Sequence, residues 1–189
     1  VEQPGVREPA PEALRLVQDL INTVDLEGGI EELGSPAELA RWVRQRGMDG
    51  AGLDATALET VLELREALRA ACLAHAGVDV PAAALERLDG LLEQGPLRLV
   101  LDARGGARVR PEPGLTGAPE VIARTAAAIV LATADGTWPR LKACASEACR
   151  WVYYDRSPAG RSRWCTMAIC GSRAKMRTYR RNRAAGPAG

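Results

Sequence analysis

Four of the chain's five cysteines fall between Cys144 and Cys170, and no other feature limits the fold so tightly. They form two pairs, Cys144 with Cys149 and Cys165 with Cys170, each with four residues between its members. Zinc takes four soft ligands at tetrahedral corners, and two tight turns can each deliver a pair. The pattern predicts one structural Zn2+ ion held by these four residues. Four protein ligands leave no open coordination position, so the metal is expected to be structural, not catalytic. Two disulfides are an alternative that suits an exported chain. No apolar leader stands at the start of the sequence, so reduced thiols and a cytoplasmic location are expected. A redox-active thiol cluster is a second alternative, because the surrounding arginines would lower thiol pKa values.

From Thr166 to Arg183 there is no proline, and Gly171 is the only glycine, so a helix is predicted. Arg173, Arg177, Arg180 and Arg181 share one face, with Lys175 and Arg183 flanking it. Ile169, Met176 and Tyr179 form a neighbouring apolar stripe expected to pack on the zinc core. A zinc knuckle that opens into an arginine-faced helix suits a nucleic-acid groove or its phosphates. A solvated basic helix is the plainer reading. Charge is unevenly shared along the chain. From residue 140 onward ten Arg and two Lys face only Glu147 and Asp155, a net +10. The whole chain is +1, so residues 1–139 carry −9. This suggests two units with different tasks: a helical domain over 1–138, and a small zinc module over 139–189.

Trp164-Cys165-Thr166-Met167 followed by Cys170-Gly171-Ser172-Arg173-Ala174-Lys175 resembles the CGNR-type zinc finger, as does Trp151-Val152-Tyr153-Tyr154-Asp155. Leu20-Ile21-Asn22-Thr23-Val24 and Leu64-Arg65-Glu66-Ala67-Leu68-Arg69 are similar to the ABATE domain that precedes such fingers. The pairing resembles predicted bacterial stress-response transcription regulators. That resemblance implies a treble-clef-like finger, DNA as partner, and a helical domain that senses a ligand or forms a homodimer. Ser172 stands where the family usually has Asn. Serine bonds locally much as Asn does, so the fold is expected to survive, whereas a base contact by that Asn is not carried over.

The remainder reads as mainly α with a small β-hairpin, an α+β chain. Residues 1–10 are expected to be disordered. Pro11 opens a helix whose apolar face is Leu14, Val17, Leu20, Ile21 and Val24. Asn22 and Thr23 are expected to tie down the loop that follows, an acidic stretch from Asp25 to Gly34. Ser35-Pro36-Ala37-Glu38 is a capping box with proline at the first helical position. Leu39, Trp42 and Val43 then face the core. Asp54 caps the longest helix, which runs to about Ala76. Leu58, Val61, Arg65, Leu68, Cys72 and His75 make its buried stripe. A buried guanidinium needs a partner. Arg65 therefore implies either an internal ion pair, with a carboxylate from the acidic loop, or an anion site with His75 and Asn22 as further ligand contacts. Cys72 reads as core. Pro81 starts a helix in which Leu85, Leu88, Leu91 and Leu92 are apolar. Leu97–Leu101 and Ala107–Arg110 form a hairpin around a glycine turn. Pro119 starts an alanine-rich helix to about Ala134, and Trp138 is placed to dock the finger on the body.

No run of about 18 apolar residues appears, so no membrane span is expected. No enzyme signature appears either. The single histidine has no nucleophile beside it, and Glu31-Glu32 is expected to sit on a loop with nothing to polarise it. The expected function is a DNA-binding transcription regulator. The alternatives are a redox- or zinc-responsive sensor working through protein contacts, an accessory finger on a ligand-binding or enzymatic domain, and an RNA binder. Trp151, Tyr153, Tyr154 and Trp164 could stack on bases, although three of them are expected to build the core of the finger.

Overall fold

A computed structural model describes residues 7–184. Six helices carry the fold: α1 (Glu12–Ile21), α2 (Pro36–Arg44), α3 (Ala55–His75), α4 (Ala82–Leu92), α5 (Gly117–Ala134) and α6 (Ser172–Ala184). Three antiparallel strand pairs accompany them: β1 (Val24–Asp25) with β2 (Ile30–Glu31), β3 (Leu97–Leu101) with β4 (Ala107–Pro111), and β5 (Leu141–Ala143) with β6 (Val152–Tyr154). The mainly helical expectation holds.

The local signals act as their chemistry requires. The Ser35 hydroxyl accepts from the Glu38 amide at 3.3 Å and donates to the Glu38 carboxylate at 2.9 Å. Asp54 accepts from the Ala57 amide at 2.8 Å. Both satisfy donors that the first helical turn leaves unpaired. α5 begins two residues before Pro119, at Gly117, whose φ of +66° suits glycine. Gly95 lets the chain after α4 lie against α5. A Cβ there would come within 2.5 Å of the Ala123 amide nitrogen.

α3 and α5 run through the centre, with α1 and α4 packed on both. α5 is long and apolar enough to cross a membrane by length and composition, but 56% of that stretch is buried inside the protein. Its apolar character is therefore accounted for by the core. Leu85 is 41% exposed, because α4 lies at the periphery and turns only Leu88 and Leu91 fully inward. The acidic stretch is a small hairpin, β1–β2, with Val24 as its first residue.

That hairpin resolves the buried guanidinium. Arg65 donates to Glu31 at 2.8 Å, to Glu66 at 2.9 Å and to the Thr23 hydroxyl at 3.1 Å. Glu31 is thus polarised after all. Partial burial pushes its pKa up, but the hydrogen bond and charge of Arg65 outweigh that and hold it below the usual value. Glu66 behaves alike, its burial outweighed by Arg69 and Arg65. Arg69, one turn on, is buried as well. It donates to Glu66 at 2.9 Å, to the Ile21 carbonyl at the end of α1 at 2.8 Å, and to the Arg150 carbonyl at 3.2 Å.

The core does not stop at the finger. Leu141, Ala143, Val152 and Tyr154 belong to the same apolar cluster as Leu14, Leu64 and Ile122. β5 packs on α3, and β6 on α1. Asn22 acts as a substitute strand neighbour for β6: its amide nitrogen donates to the Val152 carbonyl at 2.8 Å, and its oxygen accepts from the Val152 amide at 2.9 Å. Gln18 donates to the same carbonyl at 3.2 Å. His75 meets the Leu141 carbonyl at 2.8 Å and stands edge-on to Trp138 with ring centroids 4.9 Å apart. Burial lowers the His75 pKa, which favours its neutral form.

Part of the stretch expected to be disordered is packed. Residues 1–6 lie outside the described residues, but Ala10 is 7% exposed and its amide donates to Gln18 at 2.7 Å. Arg7 lies 4.5 Å from the Tyr153 ring centroid and donates to the carbonyls of Cys165 and Trp164.

Replacing Asn22 by Ala leaves the Val152 amide without its partner and removes one of two donors to the Val152 carbonyl. A loss of about 2–3 kcal/mol is expected. Urea unfolding of the zinc-loaded protein measures it. A change within about 0.5 kcal/mol would mean that these bonds do not hold β6.

Candidate metal centre

The two cysteine pairs are delivered by two different turns. In the first, the amides of Cys149 and Arg150 both donate to the Ser146 carbonyl at 3.0 Å, and Arg150 takes a positive φ of 51°. This bends the chain back so that Cys149 faces Cys144. In the second, Thr166 caps a π-turn over Met167–Gly171, its hydroxyl accepting from the Ile169 amide at 3.2 Å. The Gly171 amide donates to the Thr166 carbonyl at 3.0 Å, an i to i+5 bond. The wider turn explains the four-residue spacing, because Cys165 and Cys170 are also five positions apart. Ser172, at the position of the family Asn, donates to the Met167 carbonyl at 3.0 Å and so closes the π-turn.

The four sulfurs all lie within 4.8 Å of one another. Cys149 and Cys165 are 3.6 Å apart, as are Cys165 and Cys170. Tetrahedral zinc with Zn–S bonds of about 2.3 Å requires sulfurs about 3.8 Å apart. The donor set therefore fits one structural zinc ion. Its electrostatics call for a cation. Hydrogen bonds from the Cys149 and Cys165 thiols lower the Cys144 pKa, while the hydrogen bond to Cys144 pushes the pKa of Cys149 up, and that of Cys165 with it. A bound divalent ion would let all four ionise. All four residues are at most 6% exposed. Trp151 and Tyr153 are buried around them and Trp164 packs alongside, whereas Tyr154 joins the main core.

A buried ion pair braces the loop between the two turns. Lys142, on β5, meets Asp155 at 3.0 Å with both side chains at most 5% exposed. Lys142 also donates to the Gly160 and Ser162 carbonyls, and Asp155 accepts from the amides of Ser157 and Ser162. Desolvation alone would raise the Asp155 pKa; the donors from Ser157, Lys142 and Ser162 outweigh it and hold the carboxyl well below the usual range. Arg140 donates to the carbonyls of Asp155 and Ser157, and the Tyr153 hydroxyl to that of Ser162. Lys142 and Asp155 lie on either side of the first knuckle. Their spacing carries no periodic signal, so the pair leaves no trace in the sequence.

α6 leaves this centre and projects into solvent. Arg173, Lys175, Arg177, Arg180, Arg181 and Arg183 are all exposed. The apolar stripe beside them is not packed on the zinc core as expected: Ile169 is 38% exposed, Met176 51% and Tyr179 58%. Trp151, Tyr153 and Trp164 already surround the sulfurs, and the stripe is left open to solvent. Arg173 forms an ion pair with Glu27, at the tip of the β1–β2 hairpin. Of the residues considered as ligand contacts, Arg65 and His75 are engaged by internal partners. Asn22 is bonded to Val152 and also lines a cleft beside Trp151.

Residues 14–135 match the ABATE family, described as "Putative stress-induced transcription regulator", and residues 140–183 match the family described as "CGNR zinc finger". Neither is an enzyme family. No curated protein matches the chain.

Metal analysis of the purified protein is expected to give one zinc per chain. Cys165→Ala is expected to abolish it, and acidification to release it as the thiolates protonate. Asp155→Ala leaves Lys142 buried and unpaired, at a cost of about 3–5 kcal/mol in denaturant unfolding. Because the native Asp155 pKa is depressed, its contribution is present above the unfolded carboxylate pKa of about 4 and is lost as pH falls below that. An Asp155→Ala protein as stable as the parent would refute the bracing role.

Proposed function

Since the chain belongs to the ABATE family and carries a CGNR zinc finger, we propose that it is a zinc-dependent, DNA-binding transcription regulator. In this reading residues 1–138 respond to a small molecule and residues 139–189 meet DNA. The observation that carries the proposal is the exposure of the arginines on α6, a helix that starts from a rigid metal centre and extends outward. Thirteen residues of helix span about 20 Å, long enough to lie in a major groove. Arg173, Arg177, Arg180 and Arg181 face the duplex together, with Lys175 and Arg183 at the flanks reaching phosphates.

The zinc contributes by fixing where the helix begins. Cys170 is a ligand inside the π-turn, so the metal sets the direction in which α6 leaves. A redox-sensing role draws little support from four sulfurs that are at most 6% exposed. RNA recognition by stacking draws little from a finger whose Trp151, Tyr153 and Tyr154 are all buried.

The Glu27–Arg173 pair bears on affinity. The carboxylate occupies one of the four arginines and places negative charge beside the helix. Exposed pairs of this kind are weak, so DNA phosphates displace it at modest cost.

Binding to duplex DNA, followed by fluorescence anisotropy, is expected to weaken with salt at a log–log slope of about −3 to −5. Arg180→Gln should reduce that slope by about one, and Glu27→Gln should tighten binding by no more than about fivefold. Absence of binding at low salt, or a slope near zero, would overturn the proposal. Genome-wide binding then identifies the target sites.

A further inference from the structure

A cleft of about 440 Å³ opens where α1, Arg46 beyond α2, and the finger meet. Gln18 and Trp151, which line it, are 2% and 4% exposed. Among its charged lining residues, Arg15 and Arg46 share Asp19, a trio with one net positive charge. Asp19 accepts from Arg15 at 2.9 Å and from Arg46 at 3.3 Å, and a further Arg46 nitrogen donates to the Trp42 carbonyl at 3.1 Å.

Two groups are left over. The Arg46 Nε–H and the Trp151 indole N–H are buried and find no acceptor among the described residues. A buried donor without an acceptor costs about 1–3 kcal/mol, and two of the five such polar side-chain atoms among the described residues belong to residues that line this cleft. The neighbouring amides do not supply an acceptor. Gln18 is committed to Ala10 and Val152, and Asn22 to both backbone groups of Val152. Both orphans are donors, so the missing group is an acceptor. The single surplus charge of the Arg15–Asp19–Arg46 trio matches one carboxylate better than a doubly charged phosphate.

We propose that this cleft binds a small organic acid through its carboxylate, with Arg46 and Trp151 as hydrogen-bond donors and Arg15 at the rim. The inference rests on the effector-sensing role proposed above and gives the effector a place and a charge. Its position would couple it to DNA binding. Trp151 lies two residues after Cys149 and immediately before Val152, where α1 grips the finger. An acid held by Trp151 and Arg46 touches the metal module and the helical body at once.

Two-dimensional 1H–15N NMR of the zinc-loaded full chain tests this, with the Trp151 indole resonance assigned by Trp151→Phe. Acetate, lactate and benzoate are the probes, benzamide the uncharged control and inorganic phosphate the dianion. At least one of the three acids is expected to shift the Trp151 resonance saturably, with a Kd on the order of 1 mM or tighter. Benzamide should leave it unmoved, and Arg46→Gln should weaken the response at least about tenfold. No saturable shift with any of the three acids would overturn the proposal, water being then the cleft's only guest. So would a stronger response to phosphate, or an unchanged response in Arg46→Gln. DNA affinity is measured on the same sample without probe. Intact DNA binding with no indole response removes the cleft alone, and the reverse removes only the DNA reading.

Discussion

The short strand β6 has too few residues to secure itself by strand pairing, and its dependence on α1 organises the molecule. Val152 exposes an amide and a carbonyl on the side away from β5. Asn22 meets both, and Gln18 shares the carbonyl. A buried backbone group without a partner would cost as much as several methyl groups contribute. The end of α1 and the first zinc knuckle are therefore held at one separation and one angle. Arg69 adds a second tie, joining the last turn of α1 to the Arg150 carbonyl in the knuckle itself.

The polar network also accounts for the acidic hairpin. Buried cations from α3 need carboxylates, and β1–β2 brings Glu31 to Arg65 while its tip brings Glu27 to Arg173. One small hairpin thus neutralises a structural cation on one side and touches the basic helix on the other. The acidic and basic halves of the chain are brought into direct contact by this arrangement.

Much of this was legible because the signals were local. Ser35 with Glu38, Asp54, the glycine turn between β3 and β4, and the two cysteine pairs each specify their conformation within a few residues. The Arg65 partner could also be anticipated, since burial demanded a carboxylate and the acidic stretch offered one. What could not be read was long-range and polar. Arg69 binds carbonyls far away in sequence, and Lys142 meets Asp155 across a knuckle, and neither pairing leaves a periodic trace. The stripe of Ile169, Met176 and Tyr179 shows the complementary limit. Periodicity reveals which residues share a face, but not whether anything lies opposite.

The apolar cluster that runs unbroken from Leu14 to Tyr154 has a consequence for how the protein comes apart. Helices and finger should melt in a single cooperative transition, and stripping the metal should loosen amides as far away as α1. Evolution could not readily graft such a finger onto another scaffold, because the receiving helix would have to bring its own Asn22. The inseparability that prevents exchange of parts would also let a disturbance at one end be felt at the other without a hinge.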